Sequence, residues 1–120
     1  VKILVTDDSR VMRQIVIRTL RQAGYDDVDI VEAEDGVECL AKVGSDAPDL
    51  VLSDWNMPNM SGLECLKALR AQGSTVPFGF VTSEGSPEMR EQAAQAGALF
   101  LIAKPFTADT FRDELDSVLA

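Results

Sequence analysis

Histidine is missing from this chain of 120 residues. Its absence excludes imidazole general bases, histidine-ligated zinc sites and any role as a carrier of phosphohistidine. Only two cysteines are present, Cys39 and Cys65, and they lack the Cys-x-x-Cys spacing of metal or redox sites. We interpret both as small buried hydrophobic residues without a disulfide, as in a cytoplasmic protein.

Basic residues and long apolar runs are also scarce. Eleven Lys and Arg oppose twenty Asp and Glu, so the net charge is −9, and the basic stripe of a nucleic-acid-binding surface is lacking. Every apolar run is far shorter than the ~20 residues of a membrane span, and no signal peptide is visible. We therefore expect one cytoplasmic, monomeric domain over residues 1–120 that binds neither nucleic acid nor membranes.

Short apolar runs alternate with helical stretches along the whole chain. The predicted strands span residues 2–6, 28–32, 49–53, 76–82 and 99–103. Predicted helices follow them at about residues 9–23, 35–44, 61–73, 86–97 and from 107 onward. Strands without polar alternation, each followed by a helix, indicate an α/β fold, a doubly wound five-stranded parallel sheet of (βα)5 units. The flavodoxin-like strand order 2-1-3-4-5 suits five such units.

Polar residues stand where four of the apolar runs end. They are Asp7, Asp8, Asp54, Thr82 and Lys104. Because parallel strands present their carboxyl ends at one rim, these side chains should gather there. Three neighbouring carboxylates resist full ionisation unless a cation joins them, and oxygen ligands favour Mg²⁺, Ca²⁺ or Mn²⁺. The pattern predicts a divalent-metal site with an acceptor carboxylate and an ammonium directed at an anion.

Each of these residues has a plainer explanation when it is taken alone. Asp8, just before Ser9, could be a helix N-cap. Lys104 could be a solvated surface charge, and Thr82 could simply end a strand. The occurrence of all five at one rim favours a functional cluster.

The chain resembles the receiver domains of two-component response regulators over essentially its whole length. The resemblance rests on the acidic pair, the later Asp, the Thr and the Lys-Pro step in order, and on the stretches DWNMPNMSGLE, VTSE and AKPFT. Within the family it is most similar to single-domain chemotaxis regulators. This implies a phosphoacceptor switch that receives a phosphoryl group from a sensor histidine kinase or a small acyl phosphate. It also implies that the chain catalyses only its own phosphorylation and dephosphorylation.

The resemblance assigns a role to each residue of the rim. Asp54 becomes the phosphoacceptor. The implied Mg²⁺ ligands, for which Mn²⁺ could substitute, are Asp8, Asp54, the backbone carbonyl of Asn56 and, through water, Asp7. The implied contacts to the phosphoryl group come from Lys104, Thr82 and the backbone N–H groups of Trp55 and Ser83. A cis peptide before Pro105 is implied as well, and we expect the Trp55 side chain to be partly exposed in its loop.

The switch position departs from the family pattern. Family members carry an aromatic residue three positions before the Lys, where this chain has Leu101. Phe100 lies one residue earlier, and strand alternation directs it to the other face of the sheet. We expect Leu101, together with Thr82, to give a muted switch. The output surface is expected on the fourth helix, fifth strand and fifth helix, against a downstream protein that the sequence does not identify.

Several alternatives remain open at this point. The chain could be a stand-alone chemotaxis-type regulator or the receiver of a larger transcription factor, cyclase or hybrid kinase. A magnesium-dependent phosphohydrolase with an Asp nucleophile would need a second Asp where Asn56 stands. A flavin binder would need a hydroxyl- and Gly-rich loop after the first strand, where the acidic sequence TDDSR would repel a phosphate. Both of these alternatives fit the sequence poorly.

Overall fold

A computed structural model describes residues 1–119 of the chain. Across these residues five strands and five helices alternate. The strands are β1 (Lys2–Thr6), β2 (Asp29–Ala33), β3 (Leu50–Ser53), β4 (Phe78–Thr82) and β5 (Phe100–Ala103). The helices are α1 (Arg10–Gln22), α2 (Gly36–Asp46), α3 (Gly62–Ala71), α4 (Pro87–Ala96) and α5 (Ala108–Leu119). The helix α4 has one buried residue, Ala93, which agrees with its thin apolar stripe in the sequence.

The strands form one parallel sheet in the order β2-β1-β3-β4-β5, as predicted. The order reverses at β1, whose last residue Thr6 lies opposite Ser53 of β3. Thr82 lies opposite Ala103 at the end of β4 and β5. The residues that follow these four positions therefore leave the sheet at the same rim.

Apolar side chains cover both faces of the sheet. One layer packs the sheet against α1 and α5 and is centred on Phe111 and Leu115. The other packs it against α2, α3 and α4 around Phe78 and Phe80. The two cysteines lie in this second layer with fully buried side chains, which confirms the prediction for them. Among the described residues, no helix is both long and apolar enough to cross a bilayer.

Some predicted element boundaries are wrong by a few residues. The strand β4 begins at Phe78 rather than at Val76, and Pro77, which has no N–H to donate, stays outside it. The helix α2 continues through Gly44 and is capped by Ala47, which adopts a left-handed conformation with φ of 47°. An exposed glycine inside a helix costs helix propensity but does not end the helix when the flanking residues are packed.

The predicted helix starts are confirmed at three caps. Ser61 and Glu64 form a reciprocal capping box at the start of α3. Ser86 caps α4, with Pro87 in the first turn, where its missing N–H has no cost. The Asp35 carboxylate caps α2 by accepting the Glu38 N–H at 2.8 Å.

Candidate functional site

Three carboxylates meet at the rim where the strand order reverses. One oxygen each from Asp7, Asp8 and Asp54 lies within 4.8 Å of the others. The backbone pairing of the sheet continues past the strand ends and fixes these residues. The Asp7 N–H donates to the Ala33 carbonyl at 3.1 Å, and the Asp54 N–H donates to the Thr6 carbonyl at 2.9 Å. The juxtaposition therefore follows from the strand register itself.

The three carboxylates differ in their exposure to solvent. Asp7 is buried, Asp54 is half-buried and Asp8 is exposed. Burial raises the pKa of Asp7 above its ordinary value, and the neighbouring Asp54 charge adds to the rise. The Ser9 N–H, which donates to Asp7 at 2.9 Å, and the Lys104 ammonium oppose that rise in pKa. The cluster is therefore a place where an added cation would be stabilising.

The N-cap explanation of Asp8 is wrong. The cap of α1 is Ser9, whose hydroxyl accepts the Met12 N–H at 3.2 Å. Asp8 precedes the cap, and its exposed carboxylate faces the cluster with Asp7 and Asp54. This position suits a metal ligand that solvent can reach.

Lys104 points into the cluster. Its Nζ lies 3.4 Å from Asp7 Oδ2 and 3.8 Å from Asp54 Oδ2, and its side chain is only 18% exposed. The explanation of Lys104 as a plain surface charge is therefore wrong. The peptide bond between Lys104 and Pro105 is cis, as the resemblance implied. The Lys104 N–H donates to the Thr82 carbonyl at 2.7 Å, so the two residues are tied together at the rim.

Thr82 is fully buried at the end of β4. Its hydroxyl oxygen accepts the Glu84 N–H at 3.4 Å, a long hydrogen bond within the loop that leads to α4. Ser83, next in the chain, is exposed. The hydroxyl can still donate its own proton, because a threonine O–H is both donor and acceptor.

The backbone and the ring of Trp55 face different parts of the structure. The Trp55 N–H donates to Asp54 Oδ1 at 2.7 Å. The residue is only 9% exposed, and its indole ring packs on Phe80, with 4.7 Å between ring centroids. The expected partial exposure is therefore wrong. The Gly62 N–H donates to the Trp55 carbonyl at 2.8 Å, so the loop folds back and turns the indole into the core.

Arg13 holds the backbone at Asp7 in place. This residue was not identified from the sequence. Its Nη1 donates to the Asp7 carbonyl at 2.7 Å, and its Nε pairs with Glu32 at 2.9 Å. Arg13 is buried although it is charged. A signal was present, because Arg13 occupies the same stripe of α1 as Val16 and Leu20, at a position where an apolar residue would be usual.

The donor set of the rim fits a small divalent cation. Carboxylate oxygens at mixed depths offer direct ligation on the exposed side and a water-mediated contact on the buried side. Asn56 follows in the exposed loop after Asp54, where a backbone carbonyl could join the set. The Lys104 ammonium and the Trp55 N–H, which both face Asp54, give the same rim partners for the oxygens of an anion.

Known proteins resemble this chain in sequence and in structure. The family model for the response regulator receiver domain matches residues 3–116. Chemotaxis protein CheY1 of Helicobacter pylori strain J99 is 42% identical, over 98% of this chain and 96% of that protein. Chemotaxis protein CheY-3 of Vibrio cholerae is 40% identical, over 98% of this chain and 90% of that protein.

Solved structures agree with the sequence matches. The chemotaxis response regulator CheY4 of Vibrio cholerae has a TM-score of 0.84 at 39% identity, with 98% of both chains covered. The signal receiver domain of NarL from Mycobacterium tuberculosis has a TM-score of 0.87 at 29% identity, over 98% of this chain and 94% of that one. The family match spans nearly every element that builds the rim, and this chain belongs to the receiver domains of response regulators, a family of signalling proteins.

Proposed function

We propose that this chain is a phosphoacceptor switch in which Asp54 receives a phosphoryl group from the phosphohistidine of a sensor histidine kinase. The observation that carries the proposal is the setting of Asp54. Its half-buried carboxylate has the Lys104 ammonium at 3.8 Å and the Trp55 N–H at 2.7 Å. These partners are positioned before any phosphoryl group arrives, which is how charge developing in a transition state is stabilised.

The transfer conserves atoms and charge without a further reactant. An Asp54 carboxylate oxygen attacks phosphorus and forms a new O–P bond. The P–N bond of the phosphohistidine breaks, and the imidazole leaves with the electron pair. A small acyl phosphate would donate by breaking a P–O bond in the same way. Water later attacks phosphorus, the O–P bond to Asp54 breaks, and inorganic phosphate leaves as the Asp54 carboxylate is restored. The chain thus catalyses only its own phosphorylation and dephosphorylation.

A divalent cation would complete the rim. Mg²⁺, or Mn²⁺ in its place, supplies neutralisation of the phosphoryl oxygens when bound. We assign its direct ligands to Asp8, Asp54 and the Asn56 carbonyl. Asp7 would act through water, because its two oxygens already meet the Ser9 N–H and the Lys104 ammonium. Removing one of these carboxylates should weaken Mg²⁺ binding without unfolding the chain.

The remaining rim residues would hold the transferred group. Lys104 would turn from the carboxylates to one phosphoryl oxygen, and the Thr82 hydroxyl would donate to another. The backbone N–H groups of Trp55 and Ser83 would be further donors. Two of these four, Thr82 and Ser83, begin the loop to α4, so the bound group would act on that loop.

The output surface would comprise α4, β5 and α5, and its target is a downstream protein. Ala93 is the buried residue of α4, so this helix can respond to a small change at its N-terminal loop. Leu101 lies buried beneath it and would move less than an aromatic residue. We also propose that the chain is a cytoplasmic, monomeric chemotaxis regulator rather than the receiver of a larger transcription factor, cyclase or hybrid kinase, and its similarity to the chemotaxis proteins CheY1 and CheY-3 supports the chemotaxis role.

Trp55 provides a direct test, since it is the single tryptophan and adjoins Asp54. Addition of Mg²⁺ and then acetyl phosphate should change its fluorescence in two steps, and intact-mass spectrometry should show one added phosphoryl group. The Asp54→Asn variant should lose the second step and the added mass. Asp26→Asn, at an exposed position away from the rim, is the matched control. Equal phosphorylation of Asp54→Asn and the parent chain would refute the assignment of the acceptor.

A further inference from the structure

Arg90 of α4 joins two segments that are separate in the sequence. Its Nε donates to the Gly85 carbonyl at 3.2 Å, and its Nη1 donates to the Leu101 carbonyl at 2.9 Å. Gly85 lies in the loop between β4 and α4, and Leu101 lies in the edge strand β5. A planar guanidinium can satisfy two such acceptors at once, whereas an ammonium is a single point of attachment. One side chain thus links the loop, the helix and the strand.

The loop that Arg90 holds begins at Thr82. The Glu84 N–H donates to the Thr82 hydroxyl oxygen at 3.4 Å, one residue before Gly85. A Thr82 side chain that turns toward a phosphoryl oxygen withdraws this acceptor from Glu84. The support of the loop then changes directly beside the carbonyl that Arg90 binds.

The loop is also in close contact with β5 at Gly85. A Cβ placed on Gly85 would lie 3.1 Å from the Ala103 Cβ, 3.2 Å from Arg90 Nη2 and 3.7 Å from Leu101 Cδ2. The absence of a side chain lets the loop backbone approach all three. A shift of this backbone therefore changes its contacts with the guanidinium and with the strand together.

Space is available for Arg90 to change its position. A hollow of about 210 Å³ opens beside it between α4 and β5, and its walls are mainly small or apolar residues such as Ala94, Ala98 and Phe100. Arg90 itself is exposed, so its charge need not be buried in either position. Reorientation of the guanidinium would alter the exposed surface formed by α4 and β5.

We propose that Arg90 couples the loop after Thr82 to β5 and thereby carries the phosphorylation state of Asp54 to the output surface. In this chain the link runs through backbone carbonyls held by Arg90, while Leu101 stays packed. The inference rests on the proposed function, because it needs Thr82 to respond to a group on Asp54. The plainer role of Arg90 would be to cap an edge-strand carbonyl, with no part in signalling.

Hydrogen exchange with and without beryllofluoride and Mg²⁺ separates these two roles. In the parent chain, the phosphoryl mimic should change amide exchange in the loop at residues 83–86 and in β5 together. In Arg90→Met, which keeps the aliphatic stem, the loop should still respond, while the β5 response should fall about fivefold, the effect of one lost hydrogen bond. Arg90→Lys, with its charge but no fork, should resemble Arg90→Met. Arg21→Met is the matched control, because Arg21 of α1 also donates to backbone carbonyls, those of Tyr25 and Val28, each at 3.0 Å.

The outcomes that would overturn the coupling are distinct. A β5 response in Arg90→Met equal to that of the parent would do so. If Arg90→Met changed β5 exchange by the same amount with and without beryllofluoride, Arg90 would only cap the edge-strand carbonyl and would not couple the loop to β5. In both cases the Trp55 fluorescence response would persist, because the site itself is intact. Loss of the Trp55 response in the parent chain would instead refute the proposed function, and the coupling with it.

Discussion

The Lys104 ammonium lies 3.4 Å from the Asp7 carboxylate, although the two residues are 97 positions apart in the sequence. Lys104 therefore already partly neutralises the cluster that would bind a divalent cation. The same ammonium would be needed by an incoming phosphoryl group. The proposed metal binding and phosphoryl binding would thus place opposite demands on this one side chain.

Replacement of Lys104 by Met should tighten Mg²⁺ binding and weaken phosphorylation. Removal of a cation from a partly exposed cluster should lower the Mg²⁺ dissociation constant about fivefold, since such pairs are worth on the order of 1 kcal/mol. The transferred group would lose its charged partner, so labelling by acetyl phosphate should slow. Trp55 fluorescence measures the first effect and intact mass the second. Lys67→Met, at an exposed position of α3, is the control, and weaker Mg²⁺ binding by Lys104→Met would contradict the prediction.

Replacement of Asp7 by Asn should stabilise the metal-free chain while weakening Mg²⁺ binding. The raised pKa of Asp7 means that its ionised form is disfavoured in the folded state, mainly by burial. This cost is present above the folded pKa and disappears as the pH falls through it. We expect the variant to be more stable than the parent chain in urea unfolding at pH 7 and to lose this advantage as the pH falls toward about 4, the ordinary pKa of an aspartate. Asp26→Asn, at an exposed position, is the control. An Asp7→Asn variant less stable than the parent chain at pH 7 would contradict the conclusion that ionised Asp7 destabilises the folded state.

Two glycine substitutions should have opposite effects on stability. A Cβ on Gly62 would lie 2.1 Å from the Asp54 carbonyl oxygen and 2.9 Å from the Phe80 ring. Gly62→Ala should therefore destabilise the chain by about 2–3 kcal/mol and disturb Asp54. A Cβ on the exposed Gly44 of α2 would have no neighbouring atom within 4 Å. Gly44→Ala should therefore stabilise the chain by about 0.5–1 kcal/mol. Urea unfolding measures both, and equal effects would contradict the close approach at Gly62.

The single tyrosine should titrate well above the ordinary range. The Tyr25 hydroxyl donates to the Asp116 carboxylate of α5, and burial, followed by this neighbour, raises the pKa of Tyr25 to about 12. The interaction stabilises the fold fully below about pH 10, where an unfolded tyrosine ionises, and is lost between about pH 10 and about 12. Ultraviolet absorbance should show no tyrosinate at pH 10. Asp116→Asn should lower the pKa, Asp109→Asn in the same helix should not, and ionisation of the parent chain near pH 10 would count against the bond.

The fold could be predicted from the sequence because its signals are local and repeated. Unbroken apolar runs mark buried parallel strands, and capping pairs such as Ser61 with Glu64 mark helix starts. The strand boundaries could not be predicted as closely, because hydrogen bonding with the adjacent strand decides where each strand begins and ends. Val76 continues an apolar run, yet β4 begins only after Pro77.

The candidate site could be predicted in part for a different reason. Its acidic and basic residues follow strand ends, so the strand order alone brings Asp7, Asp54 and Lys104 together. The residues that were missed or misjudged depend on contacts between distant segments. Trp55 is buried because the Gly62 N–H turns its loop inward, and Arg90 gains its partners only when α4 packs beside β5.

Because Trp55 is anchored in the core, the two sides of the rim differ in how firmly they are held. On one side, the indole, the Gly62 N–H and the pairing of Asp54 with Thr6 leave the proposed acceptor Asp54 little freedom. On the other, the loop after Thr82 is held by the long hydrogen bond from the Glu84 N–H, by Arg90 and, at its end, by the Ser86 cap of α4. Substitutions on the first side would therefore bear on the proposed phosphorylation of Asp54, and substitutions on the second side on the proposed output to a target protein.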